Sequence, residues 1–304
     1  MDIREFHQSL IQKQIPIIVD SLEVNLYLTE QGYKTKLFDL YNFESQEVAF
    51  LIFSDYRYYY KLKELWQTSK SRIVHLPAVK FDGSLETIDY SFKQILAADI
   101  EQCLNIRSNL YQKIAEADSE LSLSDWRGSK LNCHLGESIE IANNDEELDP
   151  GWFYSIAEFL ESSIVNTKGD KASFSVDGTF FFDGILYQTT TEDTKEENIK
   201  PLKYLAERVA SSQEKYLEIE DNTIARLIVD GQDLTSVLLD MTYHMERNLS
   251  LTEIAFGCNN GILETINWGI NSVLNEGVYG THVGIGMAQK APHIDFISQT
   301  LKLI

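Results

Sequence analysis

Three short apolar runs near the start of the chain constrain its fold more than any other feature: IPIIVD (15–20), EVAFLIF (47–53) and RIVHLPAV (72–79). Each is too short for a helix and reads as a buried strand. Between them lie helix-like stretches. SLEVNLYLTEQG has Leu22, Leu26 and Tyr33 near helical spacing and ends at Gly32, a stop signal, and YYYKLKELWQT is also helix-like. KTKLFDLY alternates at period two, and residues 84–117 read as one or two amphipathic helices. Strands that alternate with helices imply a small, mostly parallel sheet. Neither a G-x-G-x-x-G nor a Walker-type loop follows any of these strands, so the segment carries no nucleotide-binding signature.

The pattern changes after ADSELSLSD, where residues 119–124 read as a linker. GSKLNCHL, SIEIA, KASFSVDGTFFFDGILYQTT and RLIVDG look like strands, with turns expected at Asp177-Gly178, Asp183-Gly184 and Asp230-Gly231. Residues 190–198, TTEDTKEEN, read as a solvated loop. Residues 233–247 place Leu234, Val237, Leu238, Met241 and Met245 on one helical face. The expected fold class is α/β: a small N-terminal parallel-sheet α/β domain over residues 1–120, then a mixed-sheet α+β domain over residues 125–304.

Charge narrows the partners. With 26 basic and 47 acidic residues the formal net charge is −21, and no basic patch offsets it. Such a surface repels nucleic acid and anionic lipid, and accepts a metal cation or a basic peptide segment more readily. Three widely spaced cysteines, Cys103, Cys133 and Cys258, fit buried free thiols better than disulfides or a zinc ribbon. MDIREFHQSL lacks the basic and apolar stretches of a signal peptide, and the expectation is a cytoplasmic protein.

The chemistry concentrates in three late segments, LTEIAFG, GTHVGIG and PHIDF. Read as strands, each places a ligand-type residue on a face shared with small residues. Glu253 shares its face with Ala255 and Gly257, and His282 with Gly284 and Gly286; His293 and Asp295 project together. The alternate positions, such as Ile254, Phe256, Val283 and Ile294, are apolar and suited to a core. Imidazole nitrogen with carboxylate oxygen suits a divalent ion such as Zn, Co, Mn or Fe, with no thiolate required. Other candidates read as structural: His134 opposes Cys133 across a strand, His244 and Glu246 form a solvated helical pair, His75 ends a strand, and Tyr56 to Lys61 forms a helix face.

From Trp126 to Phe296 the motifs TEIAFGCNNG, GTHVGIG and PHIDF follow SFSVDGTFFFDG in an order that resembles the C-terminal domain of the aminopeptidase T and aminopeptidase S family. Its wider relatives include 2,5-dihydroxypyridine 5,6-dioxygenase. The resemblance implies that Glu253 is a bridging carboxylate, His282 a ligand, His293 and Asp295 a closing pair, and Glu158 in IAEFLE the first carboxylate. It also implies a catalytic tyrosine seven residues after His282, where this chain has Gln289. A lost donor to a reacting carbonyl costs roughly a hundredfold to a thousandfold in rate. Proteins of crocagin-type ribosomal peptide biosynthesis resemble this fold as peptide-binding partners, with a similar truncation.

Three functional expectations follow. The first is an aminopeptidase-related protein that binds a divalent metal and a peptide substrate, with metal-dependent hydrolysis. The second is a catalytically degenerate protein that binds a precursor peptide in ribosomal peptide natural-product biosynthesis. The third is a non-haem iron dioxygenase built on His282, His293 and Asp295. The related aminopeptidases imply a homodimer.

Overall fold

A computed structural model describes residues 1–117, 119–142, 145–189, 196–242, 247–286 and 292–304. The readings of His244, Met245, Glu246 and Gln289 fall outside these residues, as does most of the loop expected at 190–198, after which a helix begins at Glu196. The protein combines one parallel sheet with two larger antiparallel sheets.

The apolar runs become parallel strands Ile17–Val19, Val48–Ile52 and Arg72–Leu76, with Thr35–Leu37 at one edge. The fifth strand, Phe153–Ser155, comes from far along the chain and pairs in parallel with Arg72–Leu76. Apolar residues cover both faces. Ile17, Val19, Phe50, Val74 and Leu76 join one core, while Ile18, Leu51, Phe53 and Ile73 join another. The helix Leu22–Glu30 forms as expected but buries Val24 and Leu28, leaving Leu22 and Leu26 exposed. Apolar spacing located that helix without identifying its inner face. The stretch 84–117 is two helices, Leu85–Ala97 and Ile100–Glu116, capped by Ser84 and Asp99 side chains that accept from backbone amides.

The seven-stranded sheet is built from Lys130–Leu135, Phe174–Phe181, Lys215–Glu220 and Thr223–Val229, with Gln232–Asp233 at one edge and Glu120–Ser124 and Lys302–Leu303 at the other. The segment read as a linker is therefore a strand, Glu120–Ser124, held on one side by Lys130–Leu135 and on the other by the C-terminus. Its alternation of buried Leu121 and Leu123 with polar residues is the strand signal that its serines obscured.

The six-stranded sheet runs Gly184–Gln188, His293–Ser298, Gly280–Ile285, Leu251–Gly257, Glu161–Val165 and Ile141–Ala142, all antiparallel. Its inner face packs on the seven-stranded sheet through one core, where Ile254, Phe256, Val283, Ile294 and Phe296 meet Leu131, Val176, Phe180 and Leu217. Each such side chain contributes about 2 kcal/mol of burial. The opposite face turns toward the core shared with the N-terminal helices, which includes Phe159, Leu160, Cys258 and Ile297. All three cysteines are free and buried.

Of the three expected turns, Asp230-Gly231 joins adjacent strands, and Asp183-Gly184 carries the chain from one sheet to the other. Asp177-Gly178 instead lies inside the strand Phe174–Phe181. Gly178 has φ +132°, and a β-carbon there would lie 2.0 Å from the Lys130 carbonyl oxygen of the next strand. The glycine permits close approach of backbone, not a reversal. Gly178→Ala should therefore destabilise the protein by about 2 kcal/mol or more, measured by chemical denaturation.

Candidate metal centre

The outer face of the six-stranded sheet gathers the residues singled out in the sequence. Register explains how. Asp295 pairs with Gly284, which pairs with Glu253, so a glycine separates two carboxylates across three strands. One step along, His282 pairs with Ala255, which pairs with Ser163. Ligand-type side chains thus stand beside small ones and leave a hollow between them. A β-carbon on Gly284 would lie 2.6 Å from Asp295 Oδ1 and 3.0 Å from His293 Cε1, so any larger residue would fill that hollow. A register shift between Leu251 and Glu253 sets the aim of the glutamate, and Thr252 Oγ1 donates to the Gly286 carbonyl at 2.7 Å.

Within the hollow, one ligand atom each from Glu253, His282 and Asp295 lies within 4.8 Å of the others. His293 Nε2 is 2.9 Å from Asp295 Oδ1 and 3.4 Å from Glu253 Oε2. Its other nitrogen, Nδ1, is 2.9 Å from the Gly286 carbonyl oxygen. A carbonyl can only accept, so Nδ1 carries the proton and Nε2 is the atom turned toward the acids. Held from behind by Gly286, the ring donates from Nε2 to the acids when charged and would offer a lone pair to an ion once that proton is lost.

Glu158 is placed differently from the other four sequence candidates. IAEFLE is no helix: Ala157–Phe159 form a 3₁₀ turn, and a strand starts at Glu161. The Glu158 side chain is exposed, and its carbonyl accepts from the buried Arg107 at 3.3 Å. The buried carboxylate beside the cluster is Glu161, whose Oε2 lies 3.8 Å from His282 Nε2. Glu276, in the loop before Gly280–Ile285, adds another acid that feels Asp295 and Glu253. Sequence reasoning missed both. Glu161 carried a readable signal, since ESSIV as a strand puts Glu161 and Ser163 on one face. Glu276 carried none.

The cluster therefore brings four carboxylates, Glu161, Glu253, Glu276 and Asp295, around two imidazoles. Burial, then repulsion from Glu276, Glu253 and Asp295, holds the Glu161 carboxyl well above its ordinary range. Burial and the charges of Asp295 and Glu253 do the same to Glu276. Burial also opposes ionisation of Glu253, but the hydrogen bond and charge of His293 and the field of His282 outweigh it, and its pKa falls to about 2. For His293, burial is outweighed by Asp295 and Glu253, and its pKa rises well above 6.5. Glu161 Oε2 and His282 Nδ1 are buried without a hydrogen-bond partner among the described residues, while Asp295 Oδ1 has only the His293 ring beside it. Ionising all of these carboxyls out of water would cost several kcal/mol each unless a cation joined them, which is why Glu161 and Glu276 hold their protons without one. Nitrogen and oxygen donors, an orphaned Glu161 oxygen and a hollow kept open by glycine fit a divalent ion.

The shifts fix a pH dependence for the metal-free protein. Glu161 and Glu276 titrate near 4.5 when unfolded and higher when folded, so stability falls as pH rises from there through their folded values. His293 contributes stability that is complete below 6.5 and lost as pH rises through its raised value. Glu253 works oppositely, but its contribution is lost only as pH falls from 4.5 toward about 2. Buried His75, lowered to about 3, and His7, also lowered, work the other way up to 6.5, so the thermal midpoint of the metal-stripped protein should fall between about pH 6.5 and pH 8, read by calorimetry in matched buffers. A midpoint that rises over that window would contradict these assignments.

Comparison with known proteins bears on the fold and the family. No curated protein matches the sequence. 2,5-Dihydroxypyridine dioxygenase from Pseudomonas putida KT2440 is similar in structure, with a TM-score of 0.52 at 12% identity, covering 99% of this chain and 92% of that one. AmpT from Thermus thermophilus is similar at a TM-score of 0.51 and 12% identity, covering 99% and 98%. At that identity the likeness speaks to the fold alone. The family model described as crocagin biosynthetic protein CgnE/B matches residues 12–304, nearly the whole sequence, and the chain belongs to that family.

Proposed function

We propose that the protein acts on or binds a peptide in crocagin-type peptide natural-product biosynthesis, and that its buried acid–histidine cluster holds a divalent metal. One observation supports the metal above the rest: four carboxylates surround two imidazoles on a buried face, with an oxygen of Glu161 and a nitrogen of His282 left without partners among the described residues. Glu253, His282 and Asp295 would form the inner set. His293, turned by Gly286, and Glu161 would complete it or hold a second ion. Zn, Co, Mn or Fe fit these donors. A divalent ion there supplies Lewis acidity toward a carbonyl and a water of lowered pKa, the chemistry of peptide-bond hydrolysis. The chain's own part is to present the donors, exclude bulk water, and leave room at Gly284 for the ion.

A second reading, a peptide-binding partner without catalysis, draws support from the family match and from Gln289, which stands where the resemblance to the aminopeptidases implies a tyrosine. The net charge of −21 favours a peptide with a basic segment under either reading.

Two measurements separate them. Metal-stripped protein titrated with Zn²⁺ by calorimetry should bind saturably, and Asp295→Ala should weaken binding by about a hundredfold or more. Gly284→Ala, which adds a methyl group and no charge, should weaken it by about tenfold or more. Equal binding by wild type and both variants would remove the metal centre. The metal-loaded protein should then cleave dipeptides or tripeptides if it is a hydrolase. Saturable peptide binding with no cleavage would select the partner reading.

A further inference from the structure

A second concave site lies at the edge strand Gly184–Gln188. Leu186 and Gln188 stand across from Asp295 and His293, so Ile185 and Tyr187 project from the opposite face of the sheet. There a cleft of about 230 Å³ opens between the start of the helix Leu85–Ala97, the helix Glu196–Ala210 and residues 268–271. It is lined by Asp82, Glu86, Glu207, Lys203, Tyr187 and Trp268, three carboxylates against one ammonium.

Tyr187 makes this more than an acidic patch. The residue is only 4% exposed, and its backbone is pinned by Asn271, whose Oδ1 accepts from the Tyr187 amide at 3.0 Å and whose Nδ2 donates to its carbonyl at 2.8 Å. The residue lines the cleft, and no hydrogen bond to its phenol is seen among the described residues. Burial, then the charges of Asp82 and Glu207, which line the same cleft, pushes that phenol up to about 12. The back wall is fixed too. Asn271 Nδ2 also donates to the Phe81 carbonyl at 3.1 Å, and the Trp268 ring occupies the space where a side chain on Gly184 would go, 2.1 Å from an ideal β-carbon.

We propose that this cleft binds the guanidinium group of an arginine side chain from a peptide. The chemistry matches on each side. The carboxylates of Asp82 and Glu207 supply acceptors for a planar fork of N–H donors, and the Tyr187 oxygen is one more acceptor. The Trp268 ring offers an aromatic surface against which guanidinium is favoured over ammonium. Lys203 sits at the rim and is the one lining group that opposes a cation. The proposal rests on the peptide reading only for the source of the arginine; the site itself needs neither the metal nor the peptide partner.

The test is calorimetric titration of metal-stripped protein with N-acetyl-argininamide, with N-acetyl-citrullinamide as the uncharged counterpart. The expected result is saturable one-site binding of the arginine compound, at least tenfold tighter than the citrulline compound. Glu207→Gln and Asp82→Asn should each weaken it severalfold, with circular dichroism unchanged because both residues are exposed. Lys203→Gln should tighten it. Equal binding of the two compounds, or binding unaffected by either acid variant, would overturn the proposal and leave only general attraction to an acidic surface. Tighter binding of free arginine than of the acetylated amide would also overturn the peptide assignment. Because metal is absent throughout, this result and the metal titration fail or succeed separately.

Discussion

The burial of like charges on one sheet face organises the molecule. Glu253 and Asp295 flank Gly284 across three hydrogen-bonded strands, with Glu161 and Glu276 close behind and only two imidazoles to offset them among the described residues. A core chosen for stability alone would not keep such a group. The proposed cation would offset that charge, and the surrounding architecture keeps the donors in position. The opposite face of the same strands is anchored by Ile254, Phe256, Val283 and Phe296 in a core shared with the seven-stranded sheet. Rigid packing on one side holds the donors in place on the other.

The two cores also explain why the N-terminal part matters to the site. The 3₁₀ turn Ala157–Phe159 leads directly into the strand bearing Glu161, and Arg107 of the helix Ile100–Glu116 donates to its Glu158 carbonyl. Phe159 and Leu160 bury in the core formed with the N-terminal helices. The position of Glu161 thus depends on packing between segments far apart in sequence. The likeness to AmpT and to the dihydroxypyridine dioxygenase extends over the whole of this architecture, at an identity that leaves the chemistry to be read from the side chains.

Much of this arrangement is legible in the amino-acid sequence itself. Period-two alternation puts Glu253, His282, His293 and Asp295 on one face of their strands, because the other face is mainly apolar and a slip of one residue would turn the ligands into that core. The continuous apolar runs identify the parallel strands. Where local pattern misleads, it does so for physical reasons. IAEFLESSIV continues as a strand through its serines and β-branched residues, which buries Glu161, while Glu158 stays exposed within electrostatic reach of Glu161 and Glu276. Gly178 looks like a turn because Asp-Gly usually is one, while here the neighbouring backbone demands the absence of a side chain. Glu276 sits in a loop whose path is set by contacts distant in sequence, so no local pattern could reveal it.

The most direct measurement of the central claim is anomalous diffraction from crystals grown with Zn²⁺, collected on both sides of the zinc absorption edge. The account predicts a strong anomalous peak inside the hollow, within bonding distance of Glu253, His282 and Asp295. Peaks confined to surface carboxylates, with the cluster well ordered and empty, would contradict it.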